Sequence, residues 1–280
     1  MVTRIGDSES GIRPTADPYP VPRQTAVYRK YLLLQALAGS HFQGSLAGKL
    51  VACLGFGLDG SEWAIATIIA GGAFLGMEPD PQWLKAGVRN ASCNFMVNTL
   101  DEALRVLKNE VRKGKPVSVG LLGPVAETLA AMVERGVQPD LFSDSRNGEA
   151  FGDANLAEHQ ALQQLIARGT ILVPVNESVK SATETSAQVE IVWNAGTPAD
   201  MRRLDQIALS WLQHDDNLRR RWLEQAGGFF YRQLPLERIL KLQRGELTSL
   251  LDALSHASLL LAPAGARWLD SDATPHTAAF

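Results

Sequence analysis

The chain has 280 residues, 45% hydrophobic and 20% charged, a composition that supports one large or two modest packed domains and excludes wholesale disorder. Lysine and arginine number 27 against 30 aspartate and glutamate, for a formal charge of -3. That balance supplies no global field for a phosphate backbone or an anionic membrane, so neither nucleic acid nor membrane is expected as a partner.

In chain order, residues 1–24 carry Pro14, Pro18, Pro20 and Pro22 among Ser, Thr and Asp, and read as a flexible N-terminal arm. No apolar segment follows the opening MVTRIGDSES, so no secretory signal is expected. Residues 25–200 form the main folded domain. Its first apolar run of strand length, Lys49 to Leu54, stops at Gly55. A helix from Glu62 to about Ala70 ends at Gly71-Gly72, and Ala73 to Met77 is the next strand. The uncharged stretch from Trp63 to Met77 is too short for a bilayer span of about 20 residues and reads as buried core. Thr99 stands three residues before Glu102 in a capping-box spacing, which starts a helix with Leu100, Leu104, Leu107 and Val111 on one face. Gly114 and Pro116 stop it. Strands at Pro116–Leu122, Leu141–Phe142, Thr170–Val175 and Val189–Trp193 follow, with helices over Val125–Arg135 and Ala154–Arg168 between them. Strands alternating with helices predict an α/β fold: a doubly wound, Rossmann-like, mostly parallel sheet of about six strands.

Beyond Pro198 the pattern turns helical. Met201, Leu204, Ile207, Ala208, Trp211 and Leu212 share a stripe, and Asp215-Asp216-Asn217 reads as a break and cap before Leu218–Ala226. A last helical region runs from Leu236 to Leu261, so residues 201–268 are expected as a C-terminal helical extension and 269–280 as a flexible tail.

One local motif carries chemistry. Gly55-Phe56-Gly57-Leu58-Asp59-Gly60 is a G-x-G-x-x-G placed after a strand and before a helix, and Glu78 follows at the end of the next strand. Glycine is needed at the tight turn, at the approach to pyrophosphate and at the helix–strand contact, while the helix N-terminus offers N–H groups to the anion. Glu78 is placed to accept from a ribose hydroxyl. Asp59 opposes this reading by setting a carboxylate in the phosphate loop, unless it is a helix cap facing solvent. Cys53 and Cys93 lie outside any CxxC spacing, so no disulfide framework or zinc site is read, and a reduced cytoplasmic setting is expected. The five histidines form no metal pattern. His214-Asp215-Asp216 reads as a cap, and Arg219-Arg220-Arg221 as a solvated helix face. No nucleophile elbow, Walker loop or HExxH occurs.

Taken in order, several segments resemble the central Rossmann-like domain of urocanase, the urocanate hydratase family. They are His41-Phe42-Gln43-Gly44-Ser45-Leu46-Ala47-Gly48-Lys49, the glycine loop, Ala70-Gly71-Gly72 with Glu78, Lys115 to Gly123, and Arg135-Gly136-Val137-Gln138-Pro139-Asp140. Weaker similarity continues through Arg168-Gly169-Thr170-Ile171, Ala195 to Asp200 and Leu234-Pro235. In that family a tightly bound NAD acts as an electrophile and is released unchanged. The resemblance therefore implies NAD at Gly55, Gly57, Gly60, Glu78 and Gly123, and a homodimer, since the family assembles as dimers. It also implies losses. Trp83 stands where the family has a basic residue, Pro124-Val125 replaces Asn-Ala, and Ser145-Arg146-Asn147-Gly148-Glu149 replaces a Gln-Thr-Ser-Ala-His run. The tyrosine expected near Val175 is missing, and Arg238-Ile239-Leu240 stands at the family's Arg-Ile-Cys element, which removes the active-site cysteine. The family's further N- and C-terminal segments have no counterpart, as in a divergent, truncated member.

Three readings follow. In the first, the chain binds NAD or another small nucleotide without standalone urocanate hydration, as a pseudoenzyme. In the second, it is an NAD-dependent lyase or hydratase on urocanate or another conjugated acid, with Arg146, Glu149, Asn176 or Glu177 at strand ends in polar roles. In the third, the ligand site is dead and the helices bearing Trp211 and Trp222 form an oligomer contact, although Trp211 reads more readily as plain core.

Overall fold

The computed structural model describes residues 20–145, 156–173, 188–231, 233, 235–258, 265–269 and 275–279. Arg146, Glu149, Asn176, Glu177, Leu234 and most of the N-terminal arm lie outside the described residues.

Helix α1 (Gln24–His41) precedes β1 (Leu50–Leu54), α2 (Leu58–Ala70) and β2 (Ala73–Glu78). Next come α3 (Pro81–Arg89), β3 (Phe95–Val97), α4 (Leu100–Arg112), β4 (Val117–Leu122), α5 (Val125–Glu134), β5 (Leu141–Asp144), α6 (Leu156–Ala167) and β6 (Ile171–Leu172). These six strands form one sheet in the order β3-β4-β2-β1-β5-β6, with every pairing parallel. The apolar runs dictate this: β2 is buried at all six positions, as a strand covered on both faces must be. One face packs under α1 and α2 through Val27, Leu34, Ile65 and Ile69, and the other under α4, α5 and α6 through Leu107, Leu129 and Leu165. At α4 Thr99 caps the helix as its spacing predicts, its Oγ1 accepting from the Glu102 N–H at 3.2 Å, but the box is not reciprocal, because the Glu102 carboxylate accepts from the Asn98 N–H at 3.1 Å.

The sixth strand is not the one expected. Phe95–Val97 fills that place at the sheet edge, too short and too exposed to carry an apolar signal. Val189–Trp193 falls within β7 (Gln188–Asn194), which belongs to a second, antiparallel sheet. Its alternating burial, one face in and one out, is the antiparallel signature.

After α7 (Pro198–Trp211) and α8 (Asn217–Phe230), the segment expected to continue as helix from Leu236 instead enters strand β8 (Glu237–Gln243). A 3₁₀ turn at Arg244–Glu246 leads into α9 (Leu247–Ser258). The expected flexible tail contains β10 (Pro275–Ala279), paired with β9 (Gly265–Leu269). The second sheet runs β10-β9-β7-β8, so the helices predicted beyond Pro198 pack with an antiparallel sheet rather than forming an all-helical extension. Trp222 is core: its indole N–H donates to the Ile239 carbonyl at 2.8 Å and its ring lies 4.7 Å from that of Tyr28. It is therefore closed to any oligomer contact. The triple arginine is partly solvated, with Arg221 exposed and its two neighbours half-buried, but all three are engaged. Arg219 pairs with Asp216 and Glu246, Arg220 donates to the Leu209 carbonyl, and Arg221 caps α2 through the Ile69 carbonyl.

The second sheet buries an ion pair. Arg238 on β8 has no exposed surface, and its Nε and Nη2 donate to the Asp205 carboxylate of α7 at 2.9 and 2.7 Å. Tyr231 donates to the same carboxylate at 3.1 Å. Removing one partner strands the other charge away from water. Asp205→Ala is expected to lower the unfolding free energy by about 3–5 kcal/mol in urea titrations, and an Asp205→Leu/Arg238→Leu pair to recover most of it.

Candidate functional site

Strands β2 and β4 lie to one side of β1 and β5 to the other, so the carboxyl ends of β1 and β5 flank the topological switch point, where open α/β sheets bind ligands. The glycine loop leaves β1 at this mouth. The Ser145 N–H, just past β5, donates to the Leu54 carbonyl at 2.8 Å and closes the other side.

Each predicted residue has a distinct place. Gly55 adopts φ +83°, a left-handed turn that favours glycine, and its N–H donates to the Met77 carbonyl at 2.8 Å. A Cβ at Gly60 would stand 2.2 Å from the Gly55 carbonyl oxygen, so the third glycine is fixed by contact with the first. A Cβ at Gly57 would meet only the Trp83 ring, at 3.9 Å; this is the open side of the loop. Gly57 is also the N-cap of α2, and it brings no side chain to the helix end. Among the described residues the N–H groups of Leu58, Asp59 and Gly60 consequently meet no acceptor, leaving donors and the positive helix end at the mouth.

Glu78 sits at the end of β2, as its spacing predicts, but its first duty is internal. One carboxylate oxygen accepts from the Phe56 N–H at 2.7 Å and the other from the Asp80 N–H at 3.0 Å. Each oxygen keeps a second lone pair for a ligand hydroxyl. The Phe56 ring fills the space over two further glycines, since a Cβ at Gly76 would lie 2.3 Å and one at Gly87 2.7 Å from it. Gly123 closes the neighbouring strand end, its N–H donating to the Glu78 carbonyl at 3.1 Å.

Asp59 does not cap α2. Its carboxylate pairs with Lys30 of α1 at 2.6 Å, and Lys30 also holds Glu62 at 2.8 Å beneath the Trp63 ring. Sequence reasoning missed Lys30 because it lies a whole helix upstream, in no motif. Trp83 and Ser145 were likewise noticed only as departures from the family pattern.

The Cys53 thiol, buried at the end of β1, lies 2.8 Å from the Ser145 hydroxyl. Burial pushes it up to about 12, so at neutral pH it is a protonated thiol and not a nucleophile. Burial likewise raises Cys93, to about 11. Among the described residues no group of His, Cys, Asp and Glu is placed to hold a metal, and no helix is long and apolar enough to cross a membrane.

The segments of the resemblance around Lys49, Gln138, Asp140 and Thr170 meet at the opposite end of the sheet. Lys49 pairs with Asp140 at 3.0 Å, the other oxygen of Asp140 accepts the Leu50 N–H at 2.8 Å, and Gln138 donates to Thr170. These residues join the amino ends of β1, β5 and β6 and are structural. Residues 24–148 match the family model described as the urocanase Rossmann-like domain. Over these residues, 125 of the 280, the chain is similar to the urocanase superfamily. The match spans α1 to β5 and so contains the glycine loop, Lys30, Glu78 and both sides of the mouth. Arg238-Ile239-Leu240 of the resemblance lies beyond it, on β8, where Leu240 is fully buried.

Two contrasts test this geometry. Gly60→Ala forces a Cβ into backbone and is expected to cost about 1–3 kcal/mol, whereas Gly57→Ala is expected to stay within about 0.5 kcal/mol, both read by thermal unfolding. The thiols are expected to resist an aromatic disulfide reagent at pH 8 in the native protein and to react on unfolding. Because unfolded thiols ionise near pH 8.5 and the native ones only towards about 11 and 12, the unfolded state releases protons first above pH 8.5. Stability is then fully present below that pH and falls as pH rises from it.

Proposed function

We propose that the urocanase-like domain binds NAD or a closely related nucleotide at the mouth between β1 and β5, and that the chain does not hydrate urocanate on its own. The observation that carries this is the uncapped start of α2 beside the open side of Gly57. A pyrophosphate there would receive the free N–H groups of Leu58, Asp59 and Gly60. The residues present fit the group. Lys30 neutralises Asp59, which removes the repulsion that the loop sequence suggests, and Gly57 leaves room for close approach. The Trp83 ring flanks that side and offers a stacking face. The spare lone pairs of Glu78 suit ribose hydroxyls and repel a 2′-phosphate, so NAD is expected over its phosphorylated form.

When bound, NAD would supply the electrophilic ring on which the family's chemistry depends. Among the described residues no thiol is placed to work with it. Leu240 stands at the position that the resemblance gives to the active-site cysteine, and Cys53 is a protonated thiol tied to Ser145.

Mass spectrometry of small molecules released on denaturation, followed by calorimetric titration with NAD, tests the reading. NAD in the released fraction or saturable binding is expected, with Gly57→Val abolishing it while the fold survives, and Trp83→Ala weakening it about tenfold. An empty protein that ignores millimolar NAD, or a Gly57→Val variant with unchanged affinity, overturns it. Turnover of urocanate by the purified chain overturns the second half.

A further inference from the structure

A cavity lined by none of the glycine-loop residues lies between the end of α3, the start of α7 and the end of α8. It has a volume of about 860 Å³, within the range of small-molecule sites. Its charged lining among the described residues is arginine only, Arg89 and Arg202, with no aspartate or glutamate. Arg202 is exposed, and no carboxylate pairs with it among the described residues. Its guanidinium instead lies 5.3 Å from the centre of the Tyr231 ring, which steadies the planar fork by cation–π attraction and leaves its N–H groups without an acceptor among the described residues.

The neutral polar residue beside it has the same sense. Asn90 lines the cavity, and its carboxamide oxygen is taken by the Ser92 N–H at 3.0 Å, so the atom left to a ligand is the donor Nδ2. The negative end of α3 is also muted, because the Asn90 N–H donates to the Ala86 carbonyl at 3.0 Å and the Ala91 N–H to that of Val88. This turn holds Ala91 at φ +64°, a left-handed conformation rare outside glycine. What the cavity presents is thus a cationic fork and an amide donor.

We propose that this cavity is a second ligand site, for a small metabolite bearing a carboxylate or phosphate oxyanion, held by Arg202 and Asn90 against the Tyr231 face. It is independent of the nucleotide reading, although α3 serves both places: Ala86 lines the cavity and the adjacent Gly87 seats the Phe56 ring of the loop.

Calorimetric titration of the full chain with succinate and with inorganic phosphate, at ionic strength held constant with sodium chloride, tests it. Saturable binding of at least one is expected, the better probe identifying a carboxylate or a phosphate ester. Arg202→Gln is expected to weaken that binding at least about tenfold, and Asn90→Asp, which adds a negative charge and keeps the oxygen for Ser92, to weaken it likewise. Circular dichroism checks the fold of both, and if Asn90→Asp unfolds, the exposed Arg202 decides alone. Binding of neither probe overturns the proposal, as does phosphate binding undiminished by Arg202→Gln, which would place the anion elsewhere, for example at the glycine loop.

Discussion

The geometry of the mouth depends on how Phe56 is held. Its side chain is driven inward by burial and finds room only because Gly76 on β2 and Gly87 on α3 carry no Cβ; its N–H is drawn to Glu78. These contacts fix a residue in the middle of a loop that would otherwise be mobile, and the neighbouring Gly55 and Gly57 inherit that order. A hydrophobic anchor on one side and a charge-assisted hydrogen bond on the other are a more economical restraint than a longer loop packed on its own. Glu78 thus serves the protein before it serves any ligand.

Charge is managed in the same local way. A carboxylate in the first turn of α2 is favoured by the helix dipole, yet in a phosphate loop it would repel the ligand. Lys30 removes the conflict by taking Asp59 and Glu62 together, and its position over Trp63 keeps the ammonium in place. The mouth is then left with backbone donors as its dominant field. In the second sheet, the pairing of Arg238 with Asp205 fixes α7 to β8 by the same logic of one buried charge answered by another.

The glycine loop and the order of β1, α2 and β2 were legible because their signal is local: a strand-length apolar run, glycine, a helix and an acid follow one another within thirty residues. The position of Glu78 was legible for that reason, but its bond to Phe56 was not, since spacing shows where a carboxylate stands and not what it accepts. Lys30 was illegible because its partners lie on another helix. Strand β3 is too short to show a period, and it is defined by pairing with β4 alone. Strand β8 was misread for a different reason. Ile239, Leu240 and Leu242 run on towards Leu250 and Leu254, and a continuous apolar pattern does not separate a buried strand from a helix; only the pairing with β7 does.

Helix α1 joins the glycine loop to the second sheet. Gln24 donates to the Glu237 carbonyl and Tyr28 accepts the Lys241 N–H, each across 213 residues of sequence, while Lys30 of the same helix neutralises Asp59. The helix packs chiefly on α2 and reaches β8 through these two bonds, so one rigid element is shared by both sheets. A disturbance at β8 that tilted α1 would be felt at the glycine loop as a displaced ammonium beside Asp59, which couples the second sheet to the charge state of the mouth.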